Sequence, residues 1–180
     1  MNSKYFFIVV TICFIVFPLT NSSAQSLKIG SAAPLFKIES GENEVLSLDM
    51  IRGKTIFIFY ETKDVVEKNR LLKNRLNTFY DAQPENVKKS IVRLPVIDCS
   101  SAFWPLIGIW KSKLVENSKK EGITIYGDWD GKMKSAYMMK NNESNIVIID
   151  KEGLIKYFAF GKISEEEIIE IIGLLKKLGY

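Results

Sequence analysis

The sequence predicts an α/β fold in which helices flank a central mixed β-sheet and an N-terminal β-hairpin extends that sheet. Three observations lead to this prediction. Residues 55–60 form a continuous apolar run, which is typical of a strand buried on both faces in the middle of a sheet. Helical and strand periodicities then alternate along the chain, which favours parallel strands joined by crossovers. Near the C-terminus, two apolar strands flank a turn at residues 151–153, and an amphipathic helix follows them.

Residues 1–24 are predicted to be a signal peptide, and residues 25–180 a single folded domain. Lys4 precedes an apolar run over residues 5–20, and the small residues up to Ala24 match the pattern that a signal peptidase cuts. We therefore expect a periplasmic or secreted protein. The alternative is an uncleaved membrane anchor, because the apolar run is only slightly shorter than a membrane span.

The charge of the chain argues against a nucleic-acid partner. The full chain carries a formal net charge of +4, so loss of Lys4 with the signal peptide leaves +4 − 1 = +3. Lysines and glutamates are interleaved and form no long basic run, which is typical of a solvated surface.

Two residue counts limit the chemistry more sharply. The chain contains no histidine, which excludes imidazole bases, Ser-His-Asp triads and histidine-ligated metals. Of the two cysteines, Cys13 falls in the predicted signal peptide, so Cys99 has no disulfide partner within the domain. We accordingly predict neither a metal site nor a bound cofactor.

The N-terminal elements follow from turn signals and alternation. A hairpin pairs a strand at residues 33–38 with one at residues 45–48. Asp49 is expected to cap a single helical turn that Gly53 ends. The buried strand at residues 55–60 comes next.

A helix is predicted to begin at Asp64 and to end before Pro84, because apolar residues recur there at helical spacing. A strand over residues 90–98 follows, and Pro95 inside it predicts an irregularity or a late start. Strand, helix and strand in this order imply a parallel pair. Cys99 then falls just past the tip of the second strand.

Four predicted elements lead on to the C-terminal hairpin: a helix over residues 100–120, a strand at 123–126, a turn at 128–131 and a short helix or irregular segment at 132–140. The hairpin itself pairs residues 145–150 with residues 154–160. Ser164 and Glu167 form a capping box at the start of the last helix.

The candidate site lies at residues 61–67. Chemistry in open α/β sheets sits just past the carboxyl ends of the central strands, and these residues follow the buried strand directly. Tyr60, Thr62 and Lys63 are the residues that could line a groove there. The expected occupant is another protein or a small ligand.

Short motifs along nearly the whole predicted domain resemble known families. The chain is similar to the peroxiredoxin and TlpA-type thiol oxidoreductases at residues 29–36, 45–48, 52–54 and 146–153. A narrower resemblance is to the YtfJ family of small periplasmic thioredoxin-fold proteins, at residues 67–69, 143–144 and 150–153. Both resemblances imply a thioredoxin-like fold.

The active-site residues of these relatives are missing here. In an alignment with the TlpA-type proteins, the two cysteines of the dithiol motif fall on Asp64 and Glu67, and the cis-proline falls on Ser144. A peroxiredoxin site also needs a cysteine and a later arginine, and of its residues only Thr62 is present. Since a carboxylate cannot attack a disulfide sulfur, the resemblance implies the fold without its usual redox site.

Three sets of residues have both a functional and a structural interpretation. Asp64 and Glu67 could be an acid–base or metal pair on one helical face, but acids in a first turn more often complement the helix dipole. Cys99 could be a thiol activated by Lys63 and a helix N-terminus, although a small buried residue is commoner. Aromatic residues could line a groove, with core packing favoured instead, at Phe103, Trp104, Trp110 and Tyr126.

The sequence therefore favours an exported thioredoxin-fold protein that lacks the dithiol active site and acts as a redox-inactive binding or accessory protein. The alternative is an enzyme, a single-cysteine antioxidant or thiol-disulfide oxidoreductase that works through Cys99. A third interpretation is a structural partner in the cell envelope, which an uncleaved signal peptide would tether to the membrane.

Overall fold

A computed structural model describes residues 27–179, so the predicted signal peptide lies outside the described residues. Seven strands form one sheet in the order β2-β1-β5-β4-β3-β6-β7. The strands are β1 (Lys37–Ser40), β2 (Val45–Ser47), β3 (Thr55–Glu61), β4 (Ile91–Asp98), β5 (Tyr126–Asp128), β6 (Asn145–Ile149) and β7 (Ile155–Phe160). The helices are α1 (Arg70–Asp81), α2 (Glu85–Lys88), α3 (Ile107–Glu121), α4 (Lys132–Ala136) and α5 (Glu165–Gly179). This mixed sheet with flanking helices confirms the predicted fold class.

The predicted central strand is β3, and all seven of its residues are buried. It lies parallel to β4, with Tyr60 opposite Val96, and antiparallel to β6, with Tyr60 opposite Asn145. A strand that is paired on both edges and covered on both faces needs apolar side chains throughout. The continuous apolar run meets that need.

Two apolar clusters cover the two faces of the sheet. One contains Tyr60, Met133 and Tyr137 and lies on the side of α4. The other contains Phe59 and Leu72 and lies on the side of α1 and α5. Consecutive strand residues point to opposite faces, so neighbouring positions at the tip of β3 belong to different environments.

The predicted N-terminal hairpin is present, with Ile38 opposite Leu46, and β1 joins it to the sheet through β5. Its first strand lies at Lys37–Ser40, later than the predicted residues 33–38. The prediction for Asp49 was wrong. A 3-10 turn over Leu48–Ile51 begins after Ser47, and the Asp49 carboxylate accepts a 2.7 Å bond from Arg52 Nε in place of capping the backbone.

Helix α1 begins at Arg70 and not at Asp64 as predicted. The preceding segment is a series of turns closed by three-residue bonds, such as the 2.9 Å bond from Lys68 N to Val65 O. Asn69 stands between the two with φ −114° and ψ 36°, outside helical geometry. Its side chain is bonded to the backbone of residues 161 and 163, which fixes where the helix begins.

Strand β4 is regular from Ile91 to Asp98, so the irregularity expected at Pro95 is absent. Pairing with β5 begins only at Val96. Up to that residue, one edge of β4 has no strand beside it, and the missing N–H of a proline is tolerated on an open edge.

Helix α3 begins at Ile107, later than predicted, and ends at Gly122, which has a left-handed φ of 65°. The predicted strand at residues 123–126 is shifted to β5, because Ile123 N and Ile125 N bond instead to Ser118 at the end of α3. Within residues 27–179, no helix combines the length and apolar character needed to cross a membrane.

The C-terminal elements agree with the sequence. Strands β6 and β7 pair antiparallel, with Val147 opposite Phe158. The capping box of α5 is formed by a 3.2 Å bond from Glu167 N to Ser164 Oγ and a 2.8 Å bond from Ser164 N to Glu167 Oε2.

Candidate functional site

The tips of three adjacent strands meet at the edge where the candidate site was predicted. Glu61 ends β3, Asp98 ends β4 and Asp128 ends β5. All three residues are acidic, and Glu61 and Asp128 are buried. The chemistry of this edge therefore depends on which cations and hydrogen-bond donors balance the negative charge of each acid.

Glu61 is held by one cation and one hydroxyl group. Lys73 Nζ lies 2.6 Å from Glu61 Oε2, and the Ser144 hydroxyl donates a 2.6 Å bond to Glu61 Oε1. Lys73 also donates a 2.7 Å bond to the carbonyl of Val66, in the turns before α1. Burial raises the pKa of Glu61, while Lys73 and Ser144 act in the opposite direction.

Neither Glu61 nor Lys73 was predicted individually as a site residue. The signal was present, because Glu61 directly continues the apolar run, and an acid at the end of a buried strand needs a partner. Ser144, selected only as the cis-proline equivalent, lies directly before β6 and is fully buried. The structure therefore brings one predicted residue, Ser144, into contact with Glu61, which is in turn paired with Lys73.

Asp128 is held by hydrogen-bond donors on the opposite face of the sheet. Its Oδ2 accepts a 3.0 Å bond from the Tyr60 hydroxyl and a 2.9 Å bond from the Lys134 backbone N–H. Its Oδ1 is buried without a hydrogen-bond partner. Burial raises the pKa of Asp128, and burial together with the nearby Asp128 charge also raises the pKa of Tyr60.

Cys99 lies next to Asp128 and is fully buried. Its backbone N–H donates a 3.1 Å bond to the Asp128 carbonyl. Burial, and then the charges of Asp98 and Asp128, raise the pKa of the thiol to about 12. The favoured interpretation of Cys99 as a small buried residue agrees with this burial. The alternative, activation by Lys63 and a helix N-terminus, is not supported, because the charges that act on the thiol are negative and α1 begins only at Arg70.

Asp64 and Glu67 lie on the surface in the turns before α1, so they do not share a helical face as predicted. Glu67 accepts a 2.8 Å bond from Arg70 Nε, and this bond lowers the pKa of Glu67. Among residues 27–179, no group of three or more histidine, cysteine or acidic side chains is arranged to hold a metal ion.

The predicted groove residues fall in three different environments. Tyr60 is 2% exposed and points into the core, so it does not line a groove. The Thr62 hydroxyl is buried without a hydrogen-bond partner. Lys63 is exposed, and its Nζ lies 5.8 Å from the centre of the Trp110 ring.

Core packing was the wrong prediction for two of the four aromatic residues. Phe103 is 63% exposed and Trp104 is 84% exposed, on the segment before α3. Trp110 is half-buried in α3, and Tyr126 is half-buried against the core. Because α3 begins only at Ile107, the two exposed rings lie in the non-helical segment before it and not on a helix that faces the core.

A cavity of about 560 Å³ lies between α1 and α3, over the face of β3 and β4. Phe59, Pro95 and Ile97 contribute to its apolar lining, and Lys63 and Trp110 also line it. Pockets of roughly 300–1,000 Å³ are of the size that holds small organic ligands.

Solved structures of low sequence identity share this architecture. A protein of Chlorobium tepidum named as thiol:disulfide interchange protein DsbE has a TM-score of 0.64 at 14% identity, covering 86% of this chain and 100% of that one. The reduced 2-Cys peroxiredoxin of Plasmodium vivax has a TM-score of 0.55 at 17% identity, covering 83% and 96%. The exposed lipoprotein thioredoxin Etrx1 of Streptococcus pneumoniae has a TM-score of 0.56 at 15% identity, covering 78% and 99%. The fold is therefore thioredoxin-like.

Sequence comparisons point the same way. A segment of 40 residues is 38% identical to a Coxiella burnetii protein named as peroxiredoxin bcp, a match that spans 22% of this chain and 26% of that relative. The profile of a family described as bacterial protein of unknown function (YtfJ_HI0045) matches residues 88–178, from α2 to the end of α5. The chain therefore belongs to the YtfJ_HI0045 family of bacterial proteins, built on a thioredoxin-like fold.

Proposed function

We propose that this protein is exported to the periplasm and binds a ligand or partner at the carboxyl edge of its sheet, without carrying out thiol exchange. One observation carries the proposal. The positions aligned with the dithiol motif hold surface carboxylates, Asp64 and Glu67, while the one cysteine of the described residues is fully buried.

The thiol chemistry of relatives requires a thiolate that reaches a disulfide or a peroxide. Burial and the charges of Asp98 and Asp128 raise the pKa of Cys99 to about 12, so the group stays a protonated thiol at neutral pH. Burial adds a steric barrier, because Cys99 is fully covered by the surrounding protein. Both effects argue against the enzyme interpretation.

The surface around the edge supports a binding role. Lys63 and Trp110 lie side by side at the cavity between α1 and α3, where an apolar floor adjoins basic side chains. Apolar pockets with a few polar groups are the usual form of small-molecule sites. Export is inferred from the predicted signal peptide at residues 1–24.

The experiment is a thiol titration on the purified native protein with an aromatic disulfide reagent, followed by peroxide consumption. We expect Cys99 to react far more slowly in the native protein than after denaturation. A Cys99→Ser variant should lose only the reaction seen after denaturation. The matched positive control is a Cys99→Ser/Ser101→Cys variant, which moves the thiol two residues to an exposed position and should react quickly.

The proposal fails if native Cys99 consumes peroxide at neutral pH and Cys99→Ser does not. It also fails if native Cys99 traps a partner as a mixed disulfide. Either result would favour the single-cysteine enzyme.

A further inference from the structure

The cavity between α1 and α3 has an uneven balance of charge. Six basic and three acidic side chains line it. Each of the three acids is already in an ion pair with a lining cation: Glu61 with Lys73, and Glu67 and Glu121 with Arg70. The cavity thus has a surplus of positive charge that no carboxylate of its lining neutralises.

Three of the lining cations, Lys63, Arg93 and Lys120, form no ion pair in the described structure. Lys63 faces the Trp110 ring, and Arg93 stacks 4.0 Å from the centre of the Tyr80 ring while bonding to Asn77. A cation held over an aromatic ring still has N–H groups that donate to an anion.

The rest of the lining is apolar. Phe59 and Pro95 come from the sheet, and Ile109, Trp110 and Leu114 come from α3. Ile109 is 60% exposed, and Phe103 and Trp104, on the segment before α3, are also exposed. An uncovered apolar surface of this kind is characteristic of a binding site.

From this juxtaposition we propose that the cavity binds a single-chain amphipathic carboxylate, with its hydrocarbon tail over Phe59 and Pro95 and its head group at the unpaired lysines. The inference rests on the proposed binding function and names its ligand class. A neutral apolar ligand would leave the surplus cations unused. A cationic amphiphile would be repelled by them.

The test is a calorimetric titration of the purified full chain with octanoate, decanoate and dodecanoate, each below its micelle concentration. The N-terminus of the purified protein is read by mass spectrometry. Each methylene group that enters the cavity should strengthen binding about fourfold, until the cavity is full. Dodecyltrimethylammonium, with the same tail and the opposite charge, should bind at least about tenfold more weakly than dodecanoate.

Variants locate the site. Lys63→Gln/Lys120→Gln should weaken dodecanoate binding by about tenfold or more, since charged hydrogen bonds are lost. The matched control is Lys28→Gln/Lys37→Gln, which removes two exposed lysines that do not line the cavity and should leave the affinity unchanged. Ile97→Trp should block the tail. Because that substitution can disturb folding, Ile109→Glu at an exposed position provides a second block.

The inference is overturned if dodecanoate gives no binding, if the trimethylammonium probe binds equally well, or if the control variant loses as much affinity as the cavity variant. It is also overturned if the protein is a dimer in solution whose interface covers the cavity. None of these outcomes alters the reactivity of Cys99, so they leave the test of the proposed function separate.

Discussion

At the scale of single residues, two buried acids define the carboxyl edge of the sheet. Glu61 and Asp128 lie on opposite faces, because Glu61 turns toward α1 while Tyr60, one residue earlier in β3, reaches Asp128 on the other side. Glu61 has a cation as partner, whereas Asp128 has only hydrogen-bond donors. The two acids should therefore respond differently to pH and to mutation.

Asp128→Asn should change how stability depends on pH. The pKa of Asp128 is raised by burial, so the folded state holds its proton at a pH where the unfolded state has released it. The contribution of this group is most favourable below pH 3.8 and is lost as pH rises through the raised pKa. Relative to the wild type, Asp128→Asn should therefore gain stability as pH rises above 3.8, measured by urea unfolding.

Asp130→Asn is the control for this prediction. Its hydrogen bond with Lys132 lowers the pKa of Asp130, so its contribution is present above pH 3.8 and is lost as pH falls. The change of stability with pH therefore has the opposite sign to that of Asp128, and it should be small because Asp130 is exposed. Parallel pH profiles for the two variants would contradict this account.

Lys73→Met should be strongly destabilising at pH 7. The substitution keeps the apolar stem but leaves the Glu61 carboxylate buried without a cation, which costs about 3–5 kcal/mol. Lys113→Met is the matched control, since the ion pair with Glu116 is exposed on both sides and its loss should not be measurable. Denaturant unfolding distinguishes the two, and equal losses would show that Glu61 does not depend on Lys73.

At the scale of elements, the late start of α1 determines the form of the site. Residues 63–69 remain in turns because Asn69 is tied to the loop before α5. Its Nδ2 donates a 2.8 Å bond to the Gly161 carbonyl, and its Oδ1 accepts a 2.9 Å bond from the Ile163 N–H. The turns leave Asp64 and Glu67 at the surface and allow Lys73 to bond the Val66 carbonyl.

Asn69→Ala should cost about 2–4 kcal/mol, because two backbone groups then lack their partners in a buried environment. Asn69→Asp should cost at least as much, because it keeps the acceptor for Ile163 N–H but sets a buried carboxylate oxygen against the Gly161 carbonyl. Asn74→Ala, on the exposed side of the same helix, should be neutral or slightly stabilising. Thermal or urea unfolding measures all three, and an unaffected Asn69→Ala would refute this anchoring role.

At the scale of the whole molecule, two additions surround the central β4-β3-β6 strands. On one side, β5 follows β4 and brings in the N-terminal hairpin, and on the other side β7 closes the sheet. The hairpin packs near α3, where Lys111 Nζ lies 2.5 Å from Glu39 Oε1. One wall of the cavity is thereby supported by the N-terminal extension of the sheet.

Export is a prediction about the given chain as a whole, including residues 1–24. The protein recovered from the periplasm should begin at Gln25, as cleavage after Ala24 requires. Mass spectrometry of the intact protein reads this directly, and an Ala24→Tyr variant should retain its leader. Recovery of the uncleaved chain from the membrane fraction would favour the tethered alternative.

The sequence by itself determined the features that depend on neighbours along the chain. The apolar run of β3, the closing hairpin and the capping box at Ser164 are local patterns, and each was found where it was predicted. The family resemblance was also readable from such short motifs, together with the loss of both motif cysteines.

Only the tertiary structure decided which groups contact the buried acids and the cysteine of the site. The partner of Glu61 at Ser144 is 83 residues away along the chain, and the anchors of Asn69 are more than 90 residues away. The pKa of Cys99 depends on burial and on Asp128 from another strand. Burial and charge at one point in space are set by elements that pack together from distant parts of the chain, and no local pattern specifies which of them will meet.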